Sequence, residues 1–377
     1  MSSGSSTPAL ITSANALTAL VERLQKHALV AVDTEANSLY AYRERLCLVQ
    51  FSTPDEDALI DPFPLANLEP LAALFASPTH EKIFHAAEYD LLVMQRQYHL
   101  EFANLFDTMM AARILGRKRV GLSSLLEEDF GITLEKRFQR ADWGARPLQP
   151  ALLDYARHDT HYLIPLRNKL KADLEAAGRW PLAQEDFARL PAATRANVHV
   201  EDVPEVWRVK GSRDLNPRQA AILQELAEYR AQRAAIADVP LFKIMGDTTL
   251  IELAKLAPGT LEEMSEVKGM SEGQLRRHGK ALLAAVKRGQ DAAPLRRPPR
   301  RPYDEAFVER VELLRAWRKH AAKEMDVESD VVLPRDIMES TARANPATRA
   351  ELAPLFASVP WRLHTWGDQV LKALRPS

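Results

Sequence analysis

Apolar residues at Leu17, Leu20, Val21 and Leu24 recur at helical spacing and predict a helix that ends near His27. The run Ala28–Val32 has no polar break and predicts a buried strand. Leu46–Phe51 and Ala58–Ile60 predict two more strands, with turn signals at Pro54 and Pro62. Leu65–Phe75 predicts a helix, weakened in its first turn by Pro70. Lys82–His85 predicts a short strand, followed by a helix from about Glu88 to Tyr98. Beyond it the pattern turns helical, most clearly over Asp107–Leu115, Leu122–Phe130 and Leu152–Ala177, the last with a kink at Pro165. Strands mixed with helices and then helices alone predict an α/β domain followed by all-α structure.

The second half repeats itself. Tyr229-Arg230 corresponds to Trp317-Arg318, Pro258 to Pro346, Gly279 to Gly367 and Leu283 to Leu371, all at the offset that separates 229 from 317. Two copies are too few for a solenoid and predict two small tandem modules. Between them lies a run of prolines and arginines from Pro294 to Pro302, which favours extended backbone. The expected boundaries are 1–190 for the α/β domain, 191–214 for a connector, 215–292 for the first module, 293–302 for the Pro/Arg linker and 303–377 for the second module. A linker of this kind predicts that the second module is separable from the rest.

Composition narrows the class. The chain has 377 residues, 46% hydrophobic and 27% charged, enough to form large cores without covalent staples. Its single cysteine, Cys47, excludes an internal disulfide and fits a reducing, cytoplasmic setting. Ser2–Thr7 is expected to lack structure. No basic residue precedes Arg23, and polar residues interrupt Ala9–Leu20, so no secretory signal is expected. No apolar run reaches the length of a membrane span, so no membrane partner is expected. The formal net charge of −1 means that any nucleic-acid surface must come from local clustering of Lys and Arg.

Carboxylates carry the candidate chemistry. Asp33 and Glu35 follow the first apolar strand, and side chains two apart on a strand point the same way. Two neighbouring anions repel each other unless a cation lies between them; strand-end solvation is the alternative reading. Asp90 begins a helix just after a strand, which suits a metal ligand and equally a helix-start acid favoured by the dipole. Tyr155 and Asp159 are four apart and share a helix face.

Taken in order, these residues resemble the DEDD exonuclease superfamily in its tyrosine-bearing branch, and within it the ribonuclease D family. The resemblance rests on Val32-Asp33-Thr34-Glu35, Leu46-Cys47-Leu48-Val49-Gln50-Phe51, Ile83-Phe84-His85-Ala86-Ala87-Glu88-Tyr89-Asp90, Asp107-Thr108, Asp142 to Leu148 and Tyr155 to Asp159. The helical repeats resemble the HRDC (helicase and ribonuclease D C-terminal) domains of that family, the second less closely, with Ala357 where the first has Gly269. The resemblance implies a ribonuclease-H-like α/β exonuclease domain, a mixed sheet with flanking helices, followed by two all-α HRDC-type domains.

It also implies 3′→5′ hydrolysis of RNA with two divalent ions, Mg²⁺ or Mn²⁺. Asp33 would bridge both ions, Glu35 and Asp159 would hold the one that binds the attacking water, and Asp90 would serve the other. Tyr155 would orient that water, since a phenol with a pKa near ~10 is a poor base. The expected products are nucleoside 5′-monophosphates, and the expected partners are tRNA precursors and other structured small RNAs, acted on by a monomer. A DNA exonuclease of the same superfamily and a non-catalytic nucleic-acid-binding protein are the alternatives. His85, Lys136, Arg140 and Arg146 are candidate RNA contacts; a structural role for His85 and a solvated face for the cations are the competing readings. Arg113, Arg117, Lys118 and Arg119 stand open in the same way. Asp107 is expected to cap the helix that Thr108 begins, and Cys47 is expected in the core.

Overall fold

The computed structural model describes residues 8–135, 137–198, 204–297 and 304–375. The expectations for Ser2–Thr7, for Lys136 and for much of the Pro/Arg linker lie outside the described residues.

Six strands form one mixed sheet: β1 (Ala9–Ile11), β2 (Leu29–Ala36), β3 (Leu46–Ser52), β4 (Asp57–Ile60), β5 (Glu81–Phe84) and β6 (Leu105–Asp107), in the order β1-β4-β3-β2-β5-β6. β3 and β4 are antiparallel, with Gln50 opposite Leu59; β2 and β5 are parallel, with Ala31 opposite Ile83. Helix α1 (Ala14–Leu24) buries the predicted face, Leu17, Leu20, Val21 and Leu24, and Ser13 caps its start by accepting from the Ala16 amide. β2 runs four residues past the apolar run, so Asp33 and Glu35 are strand residues on the same side as Ala31. The helix expected over Leu65–Phe75 is shorter: a 3₁₀ turn at Glu69–Leu71 leads into α2 (Ala72–Ala76). Pro70 explains the late start, because a residue without an N–H fits only a first turn.

α3 (Glu88–Tyr98), α4 (Thr108–Ile114) and α5 (Leu122–Phe130) follow their patterns. Asp107 caps α4 by accepting from the Met110 amide. The long helix expected over Leu152–Ala177 is two helices, α6 (Pro150–His161) and α7 (Leu163–Ala176). The break falls at Tyr162, three residues before Pro165, where the proline ring would meet the carbonyl one turn back. α8 (Trp180–Val198) carries helix through a stretch expected to connect domains.

The described parts of Met1–Glu35, Leu46–Val198 and Pro302–Ser377 make one compact unit; those of Ala36–Arg45 and His199–Arg301 make another. In the second unit, helices Pro217–Ala237, Asp247–Leu256 and Glu272–Asp291 build the first module around Leu223, Leu226, Leu250 and Leu282. There Arg230 donates to the Met245 carbonyl at 3.1 Å. In the first unit Arg318 donates to the Leu333 carbonyl at 3.0 Å. These are the same repeat positions, so the sequence repeat is also a repeat of one arginine-to-carbonyl bond. Gly269 takes φ +97, and a Cβ there would lie 2.3 Å from Thr249 Oγ1, whereas the matching Ala357 has φ −56 and tolerates a side chain.

The second module differs from the separable tail that the linker suggested. Its Leu314, Val332 and Val370 join one apolar cluster with Ala31 and Ile83 of the sheet, Leu166 and Leu170 of α7, and Phe187 of α8. Arg362, fully buried, donates to Glu185 Oε2 (3.0 Å), Asp186 Oδ2 (2.9 Å) and the carbonyls of Val331 (2.8 Å) and Val332 (3.0 Å). Gly116 approaches so closely that a Cβ would sit 2.4 Å from the Asp326 carbonyl oxygen. A core and buried ion pairs of this kind make the module part of the catalytic body.

Candidate active site

Strand β2 presents Asp33 and Glu35, and α6 brings Asp159 to them. One carboxylate oxygen from each of the three lies within 4.8 Å of the others. α6 is held there by Leu153 and Ala156 packing with Leu48 and Leu59 of the sheet, and by Thr160 bonding Ser52 at 2.7 Å. Asp90 enters from α3, whose Leu91 and Met94 belong to a different cluster with Val30 and Val32. Its Oδ1 accepts from the Thr34 hydroxyl. Asp33, Glu35, Asp90, Asp159 and Tyr155 line one cavity of about 480 Å³ with Thr34, His85, Ala86 and Tyr89, the start of α5 (Gly121–Ser124), and Leu134, Glu135 and Gln139.

Electrostatics make this cluster costly as it stands. Burial, together with the charges of Asp90, Asp159 and Glu35, holds Asp33 protonated well above the usual carboxylate range. Burial and the charges of Asp159 and Asp90 push Glu35 up to about 9. Burial lifts Asp90 to about 7 against the pull of the Thr34 bond, and lifts Asp159 to about 7. Among the described residues, no lysine or arginine lines the cavity to offset them. A half-buried all-oxygen donor set without an internal cation suits a hard divalent ion, which would return the carboxylates to their charged form. The Tyr155 hydroxyl is raised above its ordinary value by burial and by the charges of Asp159, Glu35 and Asp33, so it stays protonated near neutral pH. Phe138 meets its ring edge-on at 5.7 Å between centroids.

A turn positions Asp90. Ala86 sits at φ +64, a conformation that costs a residue with a Cβ roughly 1–2 kcal/mol. Asp107 holds it there, Oδ1 accepting from the Ala86 amide (3.2 Å) and Oδ2 from the Ala87 amide (2.8 Å). His85 lines the cavity. The Thr108 hydroxyl donates to the Phe84 carbonyl (3.1 Å) and therefore accepts from His85 Nδ1–H (2.9 Å). That leaves Nε2 as an acceptor, buried and without a hydrogen-bond partner among the described residues.

The other cationic candidates fall elsewhere. Arg146 spends all five N–H donors inside the protein: Nε and Nη2 on Asp61 (2.7 and 2.8 Å), Nη2 on the Cys47 carbonyl (2.8 Å), and Nη1 on the carbonyls of Trp143 and Ala145 (2.7 and 2.9 Å). That corrects its reading as an RNA contact: it fastens the loop before α6 to the sheet. Arg140 is exposed in the same loop and lines neither the catalytic cavity nor its neighbour. Arg137 instead lines the adjoining hollow, with Phe138 and His158. Arg113 and Lys118 pair with Asp330 (2.7 Å) and Asp326 (2.8 Å) of the second module, and Arg117 and Arg119 with Asp129 (3.0 Å) and Glu127 (3.1 Å). Thr34 and Tyr89 were not singled out from the sequence. Thr34 lies between two acids, and strand alternation turns it away from them, toward α3.

A mixed sheet with clustered carboxylates on strand and helix, with helical modules after it, is the arrangement of a 3′–5′ exonuclease domain with accessory domains. A family described as 3′-5′ exonuclease matches residues 8–175, and one described as HRDC domain matches 219–286 and 308–374. Ribonuclease D of Escherichia coli is 35% identical over 291 residues, 76% of either chain. Ribonuclease D of Granulibacter bethesdensis is 30% identical over 377 residues, 97% of this chain and 92% of that one. The crystal structure of E. coli RNase D, described as an exoribonuclease involved in structured RNA processing, superposes with a TM-score of 0.71 at 27% identity, covering 99% of this chain and 100% of that one. The chain belongs to the ribonuclease D family and is a 3′–5′ exoribonuclease.

Proposed function

We propose that the protein removes nucleotides one at a time from RNA 3′ ends by metal-assisted hydrolysis at Asp33, Glu35, Asp90 and Asp159, releasing nucleoside 5′-monophosphates. The observation that carries this reading is the close, half-buried cluster of Asp33, Glu35 and Asp159, with Asp90 buried and Tyr155 protonated beside it. Asp33, Glu35 and Asp159 would hold one divalent ion, Mg²⁺ or Mn²⁺, and Asp33 with Asp90 a second. When bound, such ions lower the pKa of water and neutralise charge on the phosphate. Tyr155, kept protonated, orients the water on the α6 side of the site. Attack forms a new P–O bond and breaks the bond to the 3′-oxygen of the preceding nucleotide, which takes up a proton and becomes the new 3′-OH. His85, which lines the cavity, lies against the terminal nucleoside in this reading.

The natural substrates we propose are tRNA precursors and other structured RNAs, acted on by a monomer in the cytoplasm. E. coli RNase D is described as processing structured RNA, and among the described residues no helix is long and apolar enough to cross a membrane. The test is to incubate 5′-labelled RNA and DNA of one sequence, and a tRNA carrying extra 3′ nucleotides, with enzyme and Mn²⁺. A one-nucleotide ladder on RNA, trimming of the tRNA and 5′-monophosphate products are expected. Equal or faster DNA shortening would favour the DNA exonuclease.

A further inference from the structure

The catalytic cavity continues past its carboxylates. On the Asp90 side its wall, Ala86 and Tyr89, also walls a second hollow of about 400 Å³. Leu92, Met109, Met110 and Leu190 supply most of the remaining apolar lining. On α3, Asp90, Leu91, Val93 and Met94 turn inward, whereas Tyr89 and Leu92, three residues apart, face the hollow. Tyr89 is 45% exposed, a large aromatic ring open to solvent at the lip of a reaction site. The Asp107 clamp on Ala86 and Ala87 keeps the ring's backbone fixed.

In-line displacement places the leaving oxygen opposite the attacking water. With the water held by Tyr155 on α6, the leaving 3′-oxygen lies toward α3. That oxygen belongs to the nucleotide that stays on the RNA, so the retained strand leaves the site over Ala86 and Tyr89. We infer that this hollow is the subsite for the retained RNA strand: the base of the penultimate nucleotide stacks on Tyr89, and the next lies over Leu92, Met109 and Met110. The inference rests on the proposed roles of Tyr155 and Asp90. Every base has a π-face, so the subsite accepts any sequence but requires an unpaired 3′ end. At its far side Arg113 is paired with Asp330, so the contact depends on stacking more than on phosphate charge.

The test is steady-state kinetics on a single-stranded RNA octamer with Mn²⁺, at low and high salt. Wild type, Tyr89→Ala and Tyr89→Phe are compared on the octamer and on one whose penultimate nucleotide is abasic. Tyr89→Ala is expected to raise KM about tenfold at both salt concentrations, the size of one lost base–aromatic stack. Tyr89→Phe, which keeps the ring, recovers most of that loss. The abasic site costs the wild type a similar factor and adds little in Tyr89→Ala. An unchanged KM, a loss confined to kcat, or equal abasic penalties in wild type and Tyr89→Ala would overturn the inference while leaving the proposed activity standing. Failure of the wild type to shorten the octamer with Mn²⁺ would sink the proposed activity itself.

Discussion

Replacing Arg362 by alanine tests whether the second module belongs to the catalytic body. The guanidinium is fully buried and serves two carboxylates, Glu185 and Asp186, and two carbonyls, while Glu185 also accepts from the Trp361 amide. Glu185 and Asp186 already sit above the usual carboxylate range because burial outweighs the help of Arg362. Alanine removes the guanidinium donor from both acids and both carbonyls, leaving Glu185 only backbone amides. Breaking a buried ion pair from one side costs about 3–5 kcal/mol, and we expect about 4 kcal/mol near pH 8. That is a large share of a typical stability of about 5–15 kcal/mol. The stranded acids rise further in the folded state. A raised folded pKa gives stability that is present below the unfolded pKa and lost as pH rises through the folded one. The deficit is therefore expected to be smaller at pH 5 than at pH 8. Urea unfolding followed by circular dichroism at both pH values measures it. Adding Glu185→Gln and Asp186→Asn to an Arg362→Met protein should recover much of the loss. A deficit below about 1 kcal/mol at pH 8, or one that grows on acidification, would refute the reasoning.

Tyr155→Phe is expected to lower kcat by at least tenfold while Mn²⁺ affinity, read by calorimetry, stays within a factor of a few; a lost metal site with normal turnover per bound metal would deny Tyr155 its water-orienting role. In metal-free protein, Asp90 and Asp159 at about 7 and Glu35 at about 9 lie above their unfolded values, so the melting temperature should fall as pH rises from 5 to 9. Saturating Mn²⁺ should flatten that fall, and a melting temperature that climbs with pH in chelator would contradict the carboxylate cluster. Arg146→Ala should cost about 2–4 kcal/mol through the stranded Asp61 and its lost carbonyl bonds, with little change in RNA affinity once the protein is folded. A selective loss of RNA binding at full stability would restore it as a contact.

Much of the architecture was legible because its signals were local. The α1 stripe and the apolar runs of β2 and β3 are periodic over enough residues to be read directly. β1 and β6, three residues each, are too short to show a period; their backbone is ordered by parallel partners that only the fold supplies. Sequence order brought Asp33, Glu35, Asp90, Tyr155 and Asp159 into view as a set. It did not show Thr34 on Asp90, or Asp107 reaching from a later strand to clamp the turn before α3. The cations are the clearest failure of local reading. Arg113, Lys118 and Arg146 look alike as surface cations in a list, yet each finds an acid far away in the chain. The Pro/Arg linker predicted a free tail, but the apolar face of the second module matters more, because it completes a core with α7 and α8.

The central claim, that the carboxylate cluster carries metal-dependent hydrolysis of RNA from the 3′ end, is most directly tested with one 5′-labelled RNA. Wild type and Asp33→Asn are compared with Mn²⁺, with Mg²⁺ and with chelator, alongside circular dichroism to show that both are folded. The account predicts a ladder descending one nucleotide at a time for wild type with metal, none with chelator, and none for a folded Asp33→Asn protein that still binds the RNA. Normal shortening by Asp33→Asn, or by wild type in chelator, would contradict it.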